Sequence, residues 1–319
     1  MSLFDTSAGS QPFEVAEAAR PKSAGRLVLS GLVIVLGVGF GLQYASARLM
    51  GLSGVEPMGA LLLIHIGLAL LFVAGLVLTG KLFWPSLSQM LFFGVVALLS
   101  NIGQLGVELF VGPHVPAGEI TLIVSLLPVF VLLLAGILRS EVLTSRKIAG
   151  ILLGAAASTA ILLPRAFEGE TSMFWVALTF AAPISQALGM VLMARYWPRG
   201  LEPLQVATGN LVMGTLLLVP MMLLSGGTLG LTGLWSEGGV ATGLFGLTVA
   251  IEFYILAVLT RKGGAVLASC ADFIAVCAGL GFGYALFAEV PTAWMGLAAV
   301  LCLLAMKLAS DRRSDADPA

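Results

Sequence analysis

An uncharged run of sequence, MGALLLIHIGLALLFVAGLVLTG, occupies positions 58–80, and Lys81 follows it directly. About 20 apolar residues in an α-helix are enough to cross the roughly 30 Å hydrocarbon core of a bilayer. A helix also satisfies its own backbone hydrogen bonds, which lipid cannot do. The run therefore predicts a membrane-spanning helix with Lys81 at its water-facing end.

The rest of the chain repeats this pattern. Hydrophobic residues make up 59% of it and charged residues 10%, and the mean hydropathy is +1.04. Soluble domains carry about 25% charged residues, so the composition is that of a chain whose surroundings are lipid. The sequence predicts an all-α integral membrane protein with ten transmembrane helices, at 27–49, 58–80, 89–112, 115–138, 148–164, 173–196, 205–225, 238–260, 264–288 and 291–309.

These spans divide the 16 Lys and Arg residues unequally between the two sides of the membrane, because only Arg48 and Arg165 fall on one side. Basic residues accumulate in cytoplasmic loops, so we expect both termini in the cytoplasm and the protein in a bacterial-type inner (plasma) membrane. The polar segments 1–26 and 310–319 are expected to be disordered cytoplasmic tails. The basic side holds Arg20, Lys22, Arg26, Lys81, Arg139, Arg146, Lys147, Arg195, Arg199, Arg261, Lys262, Lys307, Arg312 and Arg313.

Several functional classes are disfavoured. The net charge of −1 provides no basic field for nucleic acid. Cys270, Cys277 and Cys302 lie inside spans without the paired spacing of a zinc site or a disulfide framework, so no cofactor or metal is expected. No nucleophile, base and orienting acid stand together, and the chain is predicted not to be an enzyme. A membrane-embedded enzyme would need His65, Cys270 and Asp272 to converge.

Ten spans divide into two groups of five, at 27–164 and 173–309. Because five is odd, the second group must enter the membrane from the opposite side, which is the arrangement of an inverted repeat. A short similarity supports the division, since Val107–Phe110 reads hydrophobic, Glu, hydrophobic, aromatic and Ile251–Tyr254 reads hydrophobic, Glu and two aromatics.

The segment Pro116–Phe130, PAGEITLIVSLLPVF, is followed by the turn Ser140–Thr144 and by Gly150. This combination resembles the EamA repeat of the drug/metabolite transporter superfamily. In the second half, 288–292 is similar to the turn, although Val276 stands where the repeat has its proline. The resemblance implies a ten-helix, exporter-like fold with a central cavity, and amino acids, their relatives or similar metabolites as substrates.

Polar residues inside the apolar spans are the candidate site. Asn101, Gln104 and Glu108 are spaced by three and four, which places them on one helix face. That face either lines a cavity or forms a hydrogen-bonded seam between helices. The glutamate at position 108 recurs in the second half as Glu252. Asp272 is expected near mid-depth, eight residues into the ninth span. The predicted substrate-binding residues are Asn101, Gln104, Glu108, Gln186, Asn210, Glu252, Tyr254, Asp272 and His65.

The three acids have a second predicted role. Glu108, Glu252 and Asp272 can bind a cationic group, or carry protons whose release is linked to opening. Gln43 and Tyr44 lie inside the first span and either line a cavity or hold helices together. Pro128 and Pro183 each remove a backbone donor within a span, and we predict a hinge or a kink at each.

We therefore predict a secondary-active transporter, an exporter of a small metabolite such as an amino acid or amine, working by alternating access. Proton coupling is left open. The alternative is a non-transporting membrane scaffold or lipid-handling protein. The expected partners are the small-molecule substrate and membrane lipid, and a homodimer is left open.

Overall fold

The computed structural model describes residues 23–138, 144–166, 170–225, 237–269 and 271–309, and no strand occurs within these ranges. Residues 1–22 and 310–319, which hold nearly all of the two predicted tails, lie outside the described residues, as do Ser140 and Glu141 of the predicted turn. The described part is all-helical, as the sequence predicted.

The elements follow one another with short connections. In chain order they are α1 (Ser23–Leu52), α2 (Pro57–Leu78), α3 (Leu87–Val96), a π-helix (Ala97–Leu105), α4 (Gly106–Val111), α5 (Ala117–Val124), α6 (Leu127–Ile137), α7 (Ser145–Ala166), α8 (Glu170–Thr179), α9 (Ala181–Arg195), α10 (Pro203–Ser225), α11 (Glu237–Ser269), α12 (Ala271–Phe287) and α13 (Ala293–Ala309).

Seven helical segments of the described chain are long and apolar enough to cross a membrane. They are Val28–Leu52, Pro57–Leu78, Leu87–Val111, Ala117–Ile137, Met173–Arg195, Pro203–Leu224 and Gly238–Leu259. Three shorter apolar helices, Ile148–Ala157, Ile274–Phe287 and Ala293–Ala305, lie within the other three predicted spans. The outer surface carries large apolar side chains such as Leu78 and Leu224, which is the character of a membrane protein.

Two helix starts are specified by local sequence. Glu56 precedes α2, and its carboxylate accepts hydrogen bonds from the backbone N–H groups of Met58 and Gly59, which have no partner inside the helix. At α3, Ser86 and Gln89 form a capping box, in which each side chain bonds the other residue's backbone N–H. These caps fix where the second and third spans begin.

Both predicted hinge prolines follow an interruption. α5 ends at Val124 and α6 begins at Leu127, next to Pro128, while α8 ends at Thr179 and α9 begins two residues before Pro183. Proline has no N–H, and its ring collides with the carbonyl four residues earlier, so the helix cannot continue unchanged. The interruptions are observed, whereas a bend or a hinge motion at them remains a prediction.

Helix α11 extends beyond the predicted end of the eighth span. Residues 261–263 were expected to connect the eighth and ninth spans, but α11 continues as helix to Ser269. Both basic residues of this stretch are exposed, so the helix can carry them without burying a charge. Cys270, between α11 and α12, lies outside the described residues. Asp272 lies in the first turn of α12, and its expected position near mid-depth stays a prediction.

Helices from the two predicted halves interleave. α1 packs along α11 and α12, α2 along α10, α9 along the π-helix and α6, and α7 along α13. The contact between α9 and the π-helix leaves no spare room, because a Cβ added at Gly103 would strike Ser185 and one at Gly189 would strike Ser100. Two serines and two glycines therefore interlock these helices.

Candidate functional site

Glu108 stands at the centre of a buried polar cluster. Its side chain is fully buried, and both carboxylate oxygens accept hydrogen bonds from amides. Gln43 Nε2 on α1 donates to Oε2 at 3.0 Å, and Gln104 Nε2 on the π-helix donates to Oε1 at 3.0 Å. A carboxylate removed from water is tolerable only with such partners, so the two glutamines hold Glu108 in place.

Glu252 on α11 is buried beside it, with 4% of its surface exposed. Gln186 Nε2 on α9 donates to Glu252 Oε1 at 3.3 Å, and Gln43 and Gln104 also interact with this carboxyl group. Glu252 Oε2 has no hydrogen-bond partner among the described residues. The two glutamates therefore share their glutamine neighbours, but only one of them is fully satisfied.

Asp272 completes what we call the acid cluster, which is Glu108, Glu252 and Asp272. Asp272 is 2% exposed, and its Oδ2 has no partner in the described part of the chain. Asp272 lies within electrostatic range of Glu252, which lies within range of Glu108. Tyr44 on α1 is buried within range of all three carboxyl groups. The acids that the sequence singled out are thus brought together, in the interior of the helix bundle.

A cavity of about 40 Å³ adjoins the cluster, and we call it the amide cavity. Its polar lining is Ser100, Asn101, Gln186, Asn210 and Glu252, and its apolar walls include Val96, Met190, Met193, Val206 and Leu256. Asn210 Oδ1 is buried without a partner, while Asn101 Nδ2 makes a long 3.5 Å contact to the Asn210 carbonyl. A space of this size holds one or a few waters.

His65 lies near Asn101, one of the residues that line the amide cavity. A Cβ at Gly214 on α10 would be 3.1 Å from His65 Cδ2 and 3.5 Å from Asn101 Nδ2, so both side chains contact that glycine. His65 Nδ1 is 2.9 Å from the Leu61 carbonyl, and its Nε2 has no partner among the described residues. Because a carbonyl only accepts, Nδ1 carries the proton in the neutral ring, which leaves Nε2 as an acceptor.

Tyr254 does not join these residues. Its side chain is 48% exposed and lines a separate groove on the outside with Leu71, Phe72 and Leu204. Two residues along a helix turn the side chain by roughly 200°, so Tyr254 points away from the side of α11 that carries Glu252. The structure thus separates this residue from the predicted site.

The π-helix supplies two of the site residues, Asn101 and Gln104, and both are buried. π-helical turns are rare and are often found at functional sites. The sequence predicted one polar face from α-helical spacing, and the structure buries that face although its geometry is wider than an α-helix.

Polar contacts join helices at the two ends of α2. At the Arg48 end, Arg48 Nε lies 2.7 Å from Glu289 Oε1, and Arg48 Nη1 donates to the Val115 carbonyl at 2.9 Å. The Glu289 carboxylate also accepts from the backbone N–H groups of Ala117 and Gly118, at 3.2 and 3.3 Å. This network ties α1 and the start of α5 to the connection between α12 and α13.

At the Lys81 end, Lys81 Nζ lies 2.7 Å from Glu202 Oε2, and about half of each side chain is exposed. Gln205 Nε2 donates to the Lys81 carbonyl at 3.0 Å, and Arg261 Nη1 donates to the Leu201 carbonyl at 3.1 Å. The connections before α3 and before α10 are thereby tied to α11.

No group of His, Cys, Asp and Glu suited to a metal ion occurs among the described residues. Cys270, one of the three residues of the enzyme alternative, lies outside them. Gln43 is the site residue that sequence reasoning undervalued, because an amide in an apolar helix can equally hold two helices together. A usable signal was present, since Gln43 precedes Glu108 by 65 residues and Gln186 precedes Glu252 by 66.

Comparison with known proteins informs the fold alone. No family model matches the chain, and no curated protein matches it. A solved structure described only as "Crystal structure of protein" is 16% identical and superposes with a TM-score of 0.61, covering 90% of this chain and 97% of that one. The chain therefore shares its helical fold, over nearly its full length, with a protein of very different sequence.

Proposed function

We propose that this protein is a secondary-active membrane transporter that moves a small metabolite by alternating access through the acid cluster. The proposal includes ten transmembrane helices in two inverted five-helix repeats, at 27–164 and 173–309, and export as the direction. It also places the termini in the cytoplasm of a bacterial-type cell.

The pattern of helix packing supports an inverted repeat. An exchange of the first span with the sixth, the third with the eighth and the fourth with the ninth turns the α1–α11 contact into the α9–π-helix contact. The same exchange turns the α1–α12 contact into the α9–α6 contact. The pairs α2–α10 and α7–α13 map onto themselves. Such a pattern is what two halves related by a two-fold axis in the membrane plane would produce.

One observation carries the proposal, which is the pair of matching hydrogen bonds at the centre. Gln43 on the first span donates to Glu108 on the third, and Gln186 on the sixth donates to Glu252 on the eighth. The exchange of spans makes the first hydrogen bond correspond to the second. Inverted-repeat transporters bind substrate and coupling ions where their repeats meet, and in the proposed arrangement these four residues and Asp272 would form that site.

The closed form of the site fits one stage of such a cycle. The cavity beside Glu252 is far smaller than a metabolite, and the Arg48 and Lys81 networks join helices at opposite ends. Release of one network with the other intact would open the interior to one side. Pro128 and Pro183 mark where the fourth and sixth spans can bend.

The EamA resemblance of Pro116–Phe130 supports the same function and suggests amino acids, amines or similar metabolites. Buried acids with open oxygens favour a substrate that carries positive charge. A phosphorylated substrate would need Lys or Arg at the site, and no Lys or Arg is among the described buried side chains.

Flux through the purified protein tests this function. The protein is reconstituted into liposomes, and counterflow of a broad panel of amines, amino acids, sugars and phosphate esters is measured with and without a pH gradient. We expect counterflow of at least one cationic solute, and stimulation by the gradient would indicate proton coupling. Absence of flux for the whole panel would favour a scaffold or lipid-handling role and would reject the proposal.

A further inference from the structure

We propose that the acid cluster and the amide cavity together form a binding site for a linear alkyl diamine or longer polyamine, whose two ends donate hydrogen bonds to Glu252 and to Asn210. The inference rests on the proposed transport function and narrows its substrate class. It excludes amino acids, which carry a carboxylate of their own.

Apart from Arg48 Nε, which lies beside Glu289 at one end of the bundle, the open polar atoms of the described interior are acceptors when the carboxyl groups are ionised. The acceptors without a partner among the described residues are Glu252 Oε2, Asp272 Oδ2, Gln43 Oε1, Asn210 Oδ1 and His65 Nε2. The Gln43 assignment follows from its partner, because Nε2 must face the Glu108 carboxylate and Oε1 is then the free atom. A ligand that satisfies these atoms must bring N–H or O–H donors.

Charge points in the same direction. The buried carboxyl group of Glu252 lies within electrostatic range of both Glu108 and Asp272, and no Lys or Arg is among the described buried side chains. An ammonium group would relieve their mutual repulsion and donate up to three hydrogen bonds. A carboxylate or phosphate would bring a further negative charge beside these carboxyl groups, which is strongly unfavourable in a dry site.

The walls of the amide cavity suggest what joins the two donors. Glu252 and Asn210 both line it, and most of the rest of the lining is apolar, with side chains such as Val96, Met190 and Leu256. Methylene groups gain free energy when they leave water for such a surface, at about 0.8 kcal/mol each. A chain of methylenes with an amine at each end matches acceptors separated by an apolar wall.

The cavity of about 40 Å³ must widen before such a ligand can enter. Water is the competing explanation for the open acceptors, since a buried water makes two to four hydrogen bonds and a space of this size can hold it. The two explanations differ in outcome, because a water-filled seam would show no preference among amines.

Binding to the full-length protein in detergent tests the inference. Linear diamines of graded chain length are compared by calorimetry with the monoamine of the same length, and with tetramethylammonium, a cation without a donor. We expect at least one diamine to bind about tenfold or more tightly than its monoamine, the effect of one added charge-assisted hydrogen bond. Tetramethylammonium should bind more weakly than methylamine. Equal affinities for diamines and monoamines would overturn the inference.

Variants locate the second contact. Asn210→Leu should lower diamine affinity to the level of the monoamine, whereas Asn210→Asp should keep or strengthen the diamine preference, because a carboxylate is also an acceptor. Thr208→Val is the matched control on the same helix, since the Thr208 hydroxyl donates to the Leu204 carbonyl. If the leucine variant fails to fold, the aspartate variant decides, and loss of the preference in Asn210→Asp would reject Asn210 as the acceptor.

The liposome panel separates this inference from the proposed function. Counterflow of amino acids or neutral solutes without binding of diamines would overturn the diamine site and leave the transporter intact. If diamines bind in a way that depends on Asn210 but no solute shows flux, the diamine site stands and the transport function is rejected.

Discussion

Glu108 and Glu252 are the same residue type, each buried and each bonded to a glutamine from a neighbouring span, yet their surroundings differ. Glu108 receives a second amide from Gln104, one turn earlier on its own helix, and both of its oxygens are occupied. Thr248 stands four residues before Glu252, and its hydroxyl donates to the Phe245 carbonyl instead. Glu252 is left with one open oxygen beside a cavity.

The difference separates two tasks that one residue type can perform. A carboxylate with two internal donors stabilises the arrangement of helices around it, while a carboxylate with an open oxygen retains binding capacity for a ligand. We therefore expect Glu108 to contribute mainly to stability and Glu252 mainly to substrate binding. Substitutions can test this division in order of decreasing effect.

Glu252→Gln should have the largest effect on function. The amide can still accept from Gln186, so the fold should be retained, but the negative charge and the open charged acceptor are lost. Amine affinity and counterflow should fall by about 10- to 100-fold. Calorimetry and liposome flux measure the loss, and size-exclusion profile and melting temperature serve as the controls for folding. Flux at the wild-type rate would show that Glu252 does not bind the substrate.

Glu108→Gln should instead mainly reduce stability. An amide has one oxygen where Glu108 uses two, so Gln43 or Gln104 would lose its acceptor in a buried site. The free energy of unfolding should fall by about 1–3 kcal/mol, with a smaller loss of amine affinity than in Glu252→Gln. Thermal unfolding in detergent and calorimetry give the two values. A larger loss of affinity than at Glu252 would reverse the proposed division.

Gln104→Thr places before Glu108 the residue type that the second half has at the same distance before Glu252, which is Thr248. One oxygen of Glu108 is then left open, at a cost in stability of about 1 kcal/mol. Amine affinity should change by less than about threefold, because Glu252 keeps its hydrogen bond from Gln186 and its open oxygen. A strong loss of amine binding would place Gln104 in the binding site itself.

Glu202→Gln removes a solvent-exposed acid, for comparison with the buried ones, and should have the smallest effect. Its hydrogen bond with Lys81 lowers the pKa of the Glu202 carboxyl, but both side chains are about half exposed. Exposed ion pairs contribute little to stability. Melting temperature and amine flux should match those of the unaltered protein, and a marked fall in flux would assign the Lys81 end a larger role than its exposure indicates.

Much of this arrangement could be predicted from the sequence because the bilayer imposes strict rules. Long uncharged runs ended by Lys or Arg identified helices such as Pro57–Leu78, and the cost of burying a carboxyl group made Glu108, Glu252 and Asp272 candidates. The structure brings these acids together. Prolines at 128 and 183 correctly indicated where helices are interrupted.

Other features depend on contacts that spacing does not encode. The end of α11 was misplaced because exposed Arg261 and Lys262 can sit on a continuing helix. Tyr254 was grouped with Glu252 by closeness in sequence, although a helix turns neighbouring side chains to different faces. The central position of Gln43 depends on which helices meet, and that is decided by tertiary packing.

The serine and glycine interlock between α9 and the π-helix limits which parts of the molecule can shift. Ser100 fits against Gly189 and Ser185 against Gly103, so these two segments cannot slide past each other without a steric clash. Gln104 and Gln186, one on each segment, must travel as one rigid unit. Glu108 lies on α4, directly after the π-helix. In the proposed cycle, any movement that parts Glu108 from Glu252 is therefore a movement of α11 relative to this pair.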